Sequence, residues 1–228
     1  MIANNLQRIR QNIEAIARRS NRRPDTIRLI AVSKTFPATD IREALAFGQT
    51  LFGENYIQEA ERKYLELGQN IRLHFIGHLQ SNKAHIAVKI FEMIETVDQI
   101  KLAASLNRYL EQSGKIMDIL VQVNIGRDEK KSGVAPEDTE DFLKKVMTLS
   151  NLRVRGLMTM PPFSEDPEKS RIHFSNLRQL AERLQQKNLF YDNTFVELSM
   201  GMSHDYPIAI EEGATLVRVG SAIFGDRS

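Results

Sequence analysis

The 228-residue sequence contains no cysteine. Disulfides, thiolate metal sites and thiol nucleophiles are thereby excluded. It also lacks an excess of either charge: 31 basic residues stand against 29 acidic ones, a net of +2. Overall charge therefore makes no case for nucleic-acid binding. Long apolar runs are missing too. No segment approaches the ~20 apolar residues of a membrane span. The N-terminus, MIANNLQRIRQNIEAIARRS, mixes apolar and charged residues and is not a signal peptide. These absences lead to the expectation of a soluble, cytoplasmic protein that binds neither membrane nor nucleic acid. No pair among the five histidines has the spacing of a helical metal site, so no metal is expected. No two carboxylates stand out as an acid/base couple.

What is present is a regular alternation. Ile2, Leu6, Ile9, Ile13 and Ile16 form one apolar stripe, predicting an N-terminal helix within residues 1–23 before Pro24. Strand-like apolar runs follow at 28–33, 50–52, 73–76, 91–94, 117–123, 152–158, 195–198 and 216–219. Helical patterns separate them at 39–47, 55–67, 82–89, 98–112, 136–149, 168–187 and 205–212. Asp98 is read as an N-cap. About eight strand-then-helix units thus fall between Arg28 and Ser221, roughly 24 residues each, as in a (β/α)8 barrel. Such alternation implies parallel strands. The alternative, an open doubly wound sheet, expects a glycine-rich first turn. Here the first turn reads Ser33-Lys-Thr-Phe-Pro37, without glycine. The expected architecture is α/β: one TIM-type barrel domain over residues 1–228.

Three features could carry chemistry. Lys34 follows the first apolar strand, at the barrel end where active sites sit. In a partly dry pocket its amine loses preference for the charged form and can condense with an aldehyde. On position alone the bland reading, a lysine reaching past a strand end to solvent, is preferred. Second, strand seven runs into Ser199-Met-Gly-Met-Ser203 and strand eight into Gly220-Ser221. Loops seven and eight form the usual phosphate site of barrels, although two glycine turns serve connectivity equally well. Third, Arg218 interrupts the apolar Leu216-Val-Arg-Val219, so its guanidinium needs a partner, either a structural ion pair or a ligand. Together the lysine, the phosphate cradle and the arginine suggest a phosphorylated aldehyde. Gly53-Glu-Asn-Tyr56 and His78, Gln80, Asn82 and Lys83 are expected to line the same mouth. Met158 and Met160 read as packing residues.

These residues resemble a known family. Ala31-Val-Ser-Lys-Thr35, Gly53-Glu-Asn-Tyr56 with Gln58-Glu59, and His74-Phe-Ile-Gly77 with Leu79-Gln80 and Asn82-Lys83 carry the likeness. So do Gly156-Leu-Met158, Leu198-Ser-Met-Gly-Met-Ser203 with Asp205, and Val217-Arg218 through Gly220 to Ile223-Phe-Gly225. Together they look like the pyridoxal 5'-phosphate (PLP) homeostasis family, whose barrel is similar to the N-terminal domain of alanine racemase, a fold-type III PLP barrel. The resemblance implies a covalent aldimine of PLP on Lys34, with Arg218 facing the pyridine nitrogen. It places Ser199, Gly201, Gly220 and Ser221 on the phosphate and Asn55 beside the cofactor. It implies a monomeric, non-catalytic protein that supplies PLP and exchanges it with other proteins, among them PLP-dependent apo-enzymes or regulators.

Binding rather than catalysis also follows from Arg218. An arginine cannot take up the pyridinium proton as a carboxylate partner does, so the ring is a weak electron sink. Racemases of this fold add a second domain with a catalytic tyrosine. This chain is expected to lack one and to leave its cofactor open to solvent, with no catalytic residue. The rivals are a Schiff-base lyase or residual amino-acid racemase using the same groups, and a scaffold in which PLP is structural.

Overall fold

A computed structural model describes residues 1–225 and shows eight parallel strands hydrogen-bonded in chain order into a closed barrel. The strands are β1 (Arg28–Val32), β2 (Leu51–Glu54), β3 (Arg72–Phe75), β4 (Met93–Val97), β5 (Met117–Gln122), β6 (Leu152–Met158), β7 (Glu197–Ser199) and β8 (Leu216–Val219). Pairing of Ile30 with Arg218 on β1 and β8 closes the ring. The helices are α1 (Ile2–Arg19), α2 (Ala38–Ala46), α3 (Ile57–Leu67), α4 (Ala84–Ile90), α5 (Ile100–Gln112), α6 (Thr139–Val146), α7 (Arg171–Gln186), α8 (Tyr206–Glu211) and the short α9 (Ser221–Phe224).

The expected N-terminal helix is α1, and its apolar stripe is buried. It packs on α2, α8 and α9, over the region where the barrel closes. Each fully buried aliphatic there contributes roughly 1.5–3 kcal/mol of transfer free energy. Asn5 and Asn12 fix its register, donating to the Ile223 carbonyl at 2.9 Å and the Tyr206 hydroxyl at 2.6 Å.

Two cores result from the period of two along each strand. A large cluster lies between strands and helices, while Ile30, Leu51, Met93, Leu120, Met158 and Leu216 form a separate cluster. Met158 is thus a packing residue, and Met160 packs against the same cluster. Two residues further along their strands stand Val32, Glu95 and Arg218, which brings polar groups towards the C-terminal mouth.

Two element boundaries differ from the sequence reading in ways that matter. The fourth strand begins at Met93, not Phe91, and continues through Glu95 to Val97. A glutamate buried in the barrel interior looked like the end of the apolar run. Asp98 does not cap α5, since Gln99 holds that position. Its carboxylate instead accepts the Gly133 N–H at 3.0 Å, tying the loop after β5 to the mouth.

Candidate functional site

Ile30, Val32 and Lys34 succeed one another at intervals of two, which carries Lys34 to the top of the column that Ile30 begins in the interior. Lys34 is half-buried and lines a cavity of about 240 Å³ at the C-terminal mouth. Val32, Asn55, Ile76, Arg218, Gly220 and Ser221 share that cavity. Its remaining wall comes from Met160–Ser164 after β6 and Met202–Asp205 after β7. Grooves of about 460 and 520 Å³ lie elsewhere, but they are more open to solvent. Neither brings a lysine together with Arg218 and the turns after β7 and β8.

Arg218 is 3 % exposed. One guanidinium nitrogen donates to Ser199 Oγ at 2.5 Å and the other to the Thr159 carbonyl at 2.8 Å. The partner that the sequence demanded for this arginine is therefore a hydroxyl and a carbonyl, with a carboxylate one step behind. Ser199 Oγ donates in turn to Glu95 Oε2 at 2.5 Å, and Glu95 Oε1 meets His74 Nδ1 at 2.6 Å. Burial alone pushes the Glu95 carboxyl up, but His74, Arg218 and Ser199 outweigh it and hold the group below its ordinary range. Burial also draws the Arg218 guanidinium down, against Glu95 and Asp205. The chain His74–Glu95–Ser199–Arg218 thus delivers a compensated positive charge to the cavity floor.

Asn55 follows β2, and its Oδ1 is buried without a hydrogen-bond partner. Such an atom costs about 1–3 kcal/mol unless a ligand or water satisfies it. Its backbone is fixed by Gly77, where a Cβ would stand 2.3 Å from the Asn55 carbonyl oxygen. Ser203 Oγ accepts the Gly220 N–H at 3.2 Å, joining the turns after β7 and β8.

Of the residues the sequence singles out, Lys34, Asn55, Arg218, Gly220 and Ser221 line one cavity. Ser199 and Gly201 lie outside the cavity wall. The Ser199 side chain is fully buried and committed to Arg218 and Glu95. Gly201 has φ 89°, and a Cβ there would meet Ala209 Cβ at 2.5 Å. The glycine therefore lets the loop close onto α8. His78, Gln80 and Asn82 are exposed, and neither they nor Lys83 are among the residues lining the cavity. Glu54 points away from it towards α3, because Gly53 and Asn55 take the inward positions. Glu95 and residues 161–164 carry no reading from the sequence, whereas His74 enters it only within a motif of the resemblance and Met160 only as a packing residue. An acidic residue followed by Thr-Val was the available signal for Glu95.

Among the described residues, no group of three or more His, Asp or Glu could hold a metal. Among the same residues, no helix is long and apolar enough to cross a membrane.

The family model of the alanine racemase N-terminal domain matches residues 4–228. Alanine racemase of Clostridium difficile shares the fold at TM-score 0.74 and 14% identity, this chain covering 58% of it. Much nearer are the curated pyridoxal phosphate homeostasis proteins of Aquifex aeolicus and Escherichia coli K12. They are 39% and 40% identical, over 97% and 99% of this chain and 96% and 97% of their own. PipY of Synechococcus elongatus, solved without PLP and with PLP bound, gives TM-scores of 0.87 and 0.85. Its identities are 38% and 37%, over 99% of this chain and all of PipY. The chain belongs to the pyridoxal phosphate homeostasis protein family.

Proposed function

We propose that this protein binds PLP in the cavity between Lys34 and Arg218, holds it as a Schiff base on Lys34, and serves its storage and exchange without transforming amino acids. The observation that carries the proposal is the convergence of Lys34, Asn55, Arg218, Gly220 and Ser221 on one cavity. PipY, a full-length relative, has been solved with PLP bound.

The residues fit the cofactor. Lys34 Nζ supplies an amine that condenses with the aldehyde, releasing water. Arg218, fixed by Ser199 and Thr159, presents a donor to the pyridine nitrogen. The turns joined by Ser203 and Gly220 offer hydroxyl and backbone N–H donors for phosphate, with Ser221 beside them. Asn55 Oδ1, otherwise unsatisfied, finds a partner on the bound ligand.

Restraint from catalysis follows from the floor. Arg218 remains charged with Glu95 behind it and cannot accept the pyridinium proton. The ring it faces then withdraws electrons weakly, which suits retention better than carbanion chemistry. The names of the relatives support that reading. We further place the protein in the cytoplasm, as a monomer whose acceptors are PLP-dependent apo-enzymes. Titration with PLP followed by visible absorbance tests the binding, and turnover of alanine by the loaded protein would contradict the non-catalytic part.

A further inference from the structure

Thr35, the residue after Lys34, has φ 70°, a region that a β-branched residue rarely adopts. The turn that carries the lysine therefore needs external support. Both peptide groups flanking Lys34 receive it from a single ion pair on α3. The Ser33 carbonyl accepts a hydrogen bond from Lys63 Nζ at 2.6 Å, and the Thr35 N–H donates to Glu59 Oε1 at 2.6 Å. Lys63 and Glu59 meet each other at 2.6 Å, one helical turn apart. Lys63 Nζ makes a third bond, 2.7 Å long, to Glu54 Oε1, which also receives the Ser33 hydroxyl at 2.6 Å.

These charges sit where charges are costly. Lys63 is 5 % exposed and Glu54 fully buried. A buried ion pair is often no more stable than apolar residues of the same volume, so stability alone is a weak reason for one here. Its geometry supplies a better one, because the bonds converge on the residues either side of Lys34. Lysine carries its amine on a flexible four-carbon stem. Fixing the backbone on both sides sets the direction in which that stem leaves the strand.

We infer that Lys63 and Glu59 are positioning residues for Lys34: their ion pair grips the peptide groups before and after it and aims its amine into the cavity. This rests on the reading of Lys34 as the Schiff-base lysine. A loosened turn lowers the effective concentration of the amine at the aldehyde while leaving the rest of the cavity intact.

The test compares Lys63→Met, Glu59→Gln and Lys63→Arg with the parent protein, each also in a Lys34→Ala background. Covalent capture is followed by visible absorbance after mixing with PLP and by the fraction fixed on borohydride reduction. The ligand-free proteins are followed by exchange of the Thr35 amide proton. Lys63→Met is expected to slow capture roughly tenfold to a hundredfold and to expose the Thr35 amide to exchange. Lys63→Arg, which keeps a donor, should recover much of the rate. In the Lys34→Ala background Lys63→Met should leave non-covalent PLP affinity unchanged. Capture at the parental rate in both Lys63→Met and Glu59→Gln overturns the inference. So does an equal loss of PLP affinity with and without Lys34, which would make the pair a general support of the cavity. Should Lys63→Met fail to fold, Glu59→Gln, nearly isosteric, carries the comparison. Reduction that fixes PLP on another residue would sink the Lys34 reading itself, while Thr35 exchange still reports the grip.

Discussion

Glu95 on β4 and Arg218 on β8 are joined across the barrel interior through a single hydroxyl. Ser199 Oγ lies 2.5 Å from each of them. Glu95 is fully buried and Arg218 nearly so. The guanidinium can stand at the cavity floor because a carboxylate compensates it from behind, with His74 at the far end of the chain.

Removing the Glu95 charge should therefore be costly. Glu95→Gln leaves Arg218 and His74 without their anion, and breaking a buried pair from one side costs about 3–5 kcal/mol. Thermal or urea unfolding at neutral pH measures it. A loss well under 1 kcal/mol would mean that Arg218 does not depend on Glu95.

The same pair predicts a pH dependence. The Glu95 carboxyl is held below its ordinary range in the folded chain. A depressed acid binds its proton less readily when folded than when unfolded. Its stabilising contribution is therefore present above the usual glutamate range and lost as pH falls through the folded value. The stability gap between parent and Glu95→Gln should be present at neutral pH and close in acid. A gap that widens on acidification contradicts the assignment.

Arg218→Met should weaken PLP retention by ~1–3 kcal/mol, a loss of roughly tenfold to a hundredfold in affinity. It also strands Glu95, so the double variant Glu95→Gln/Arg218→Met should fold better than the sum of the single effects allows. Equilibrium titration with PLP and urea unfolding of all four proteins check both statements.

Gly77→Ala should displace Asn55, since a Cβ there would press on the Asn55 carbonyl at 2.3 Å. Destabilisation of ~1–3 kcal/mol with weaker PLP binding is expected. The measurements are a melting curve and a titration, and an alanine variant that binds PLP normally would remove Asn55 from the site.

Much of this arrangement was legible in the residues themselves. The strand-then-helix alternation gave the barrel, and the position of Lys34 after β1 placed it at the mouth. Arg218 showed itself by interrupting an apolar strand. Glu95 stands in a similar setting but gives no such signal, because the apolar run before it ends at Ile94 as plausibly as it continues. In the sequence, Ser199 reads as a phosphate donor because a hydroxyl near a glycine suits an anion. Its commitment to Arg218 and Glu95 depends on residues 19 and 104 positions away, which local pattern does not carry. Lys63 stands four residues after Glu59, a spacing common on exposed helix faces. Only the packing of α3 against the end of β1 reveals that this pair is turned inward.

The most direct test of the account is to load the protein with PLP, reduce it with borohydride and map the modified peptide by mass spectrometry. Modification confined to Lys34, and lost in Lys34→Ala, is the predicted result. Modification of a different lysine, or a Lys34→Ala protein that still traps PLP, would contradict it.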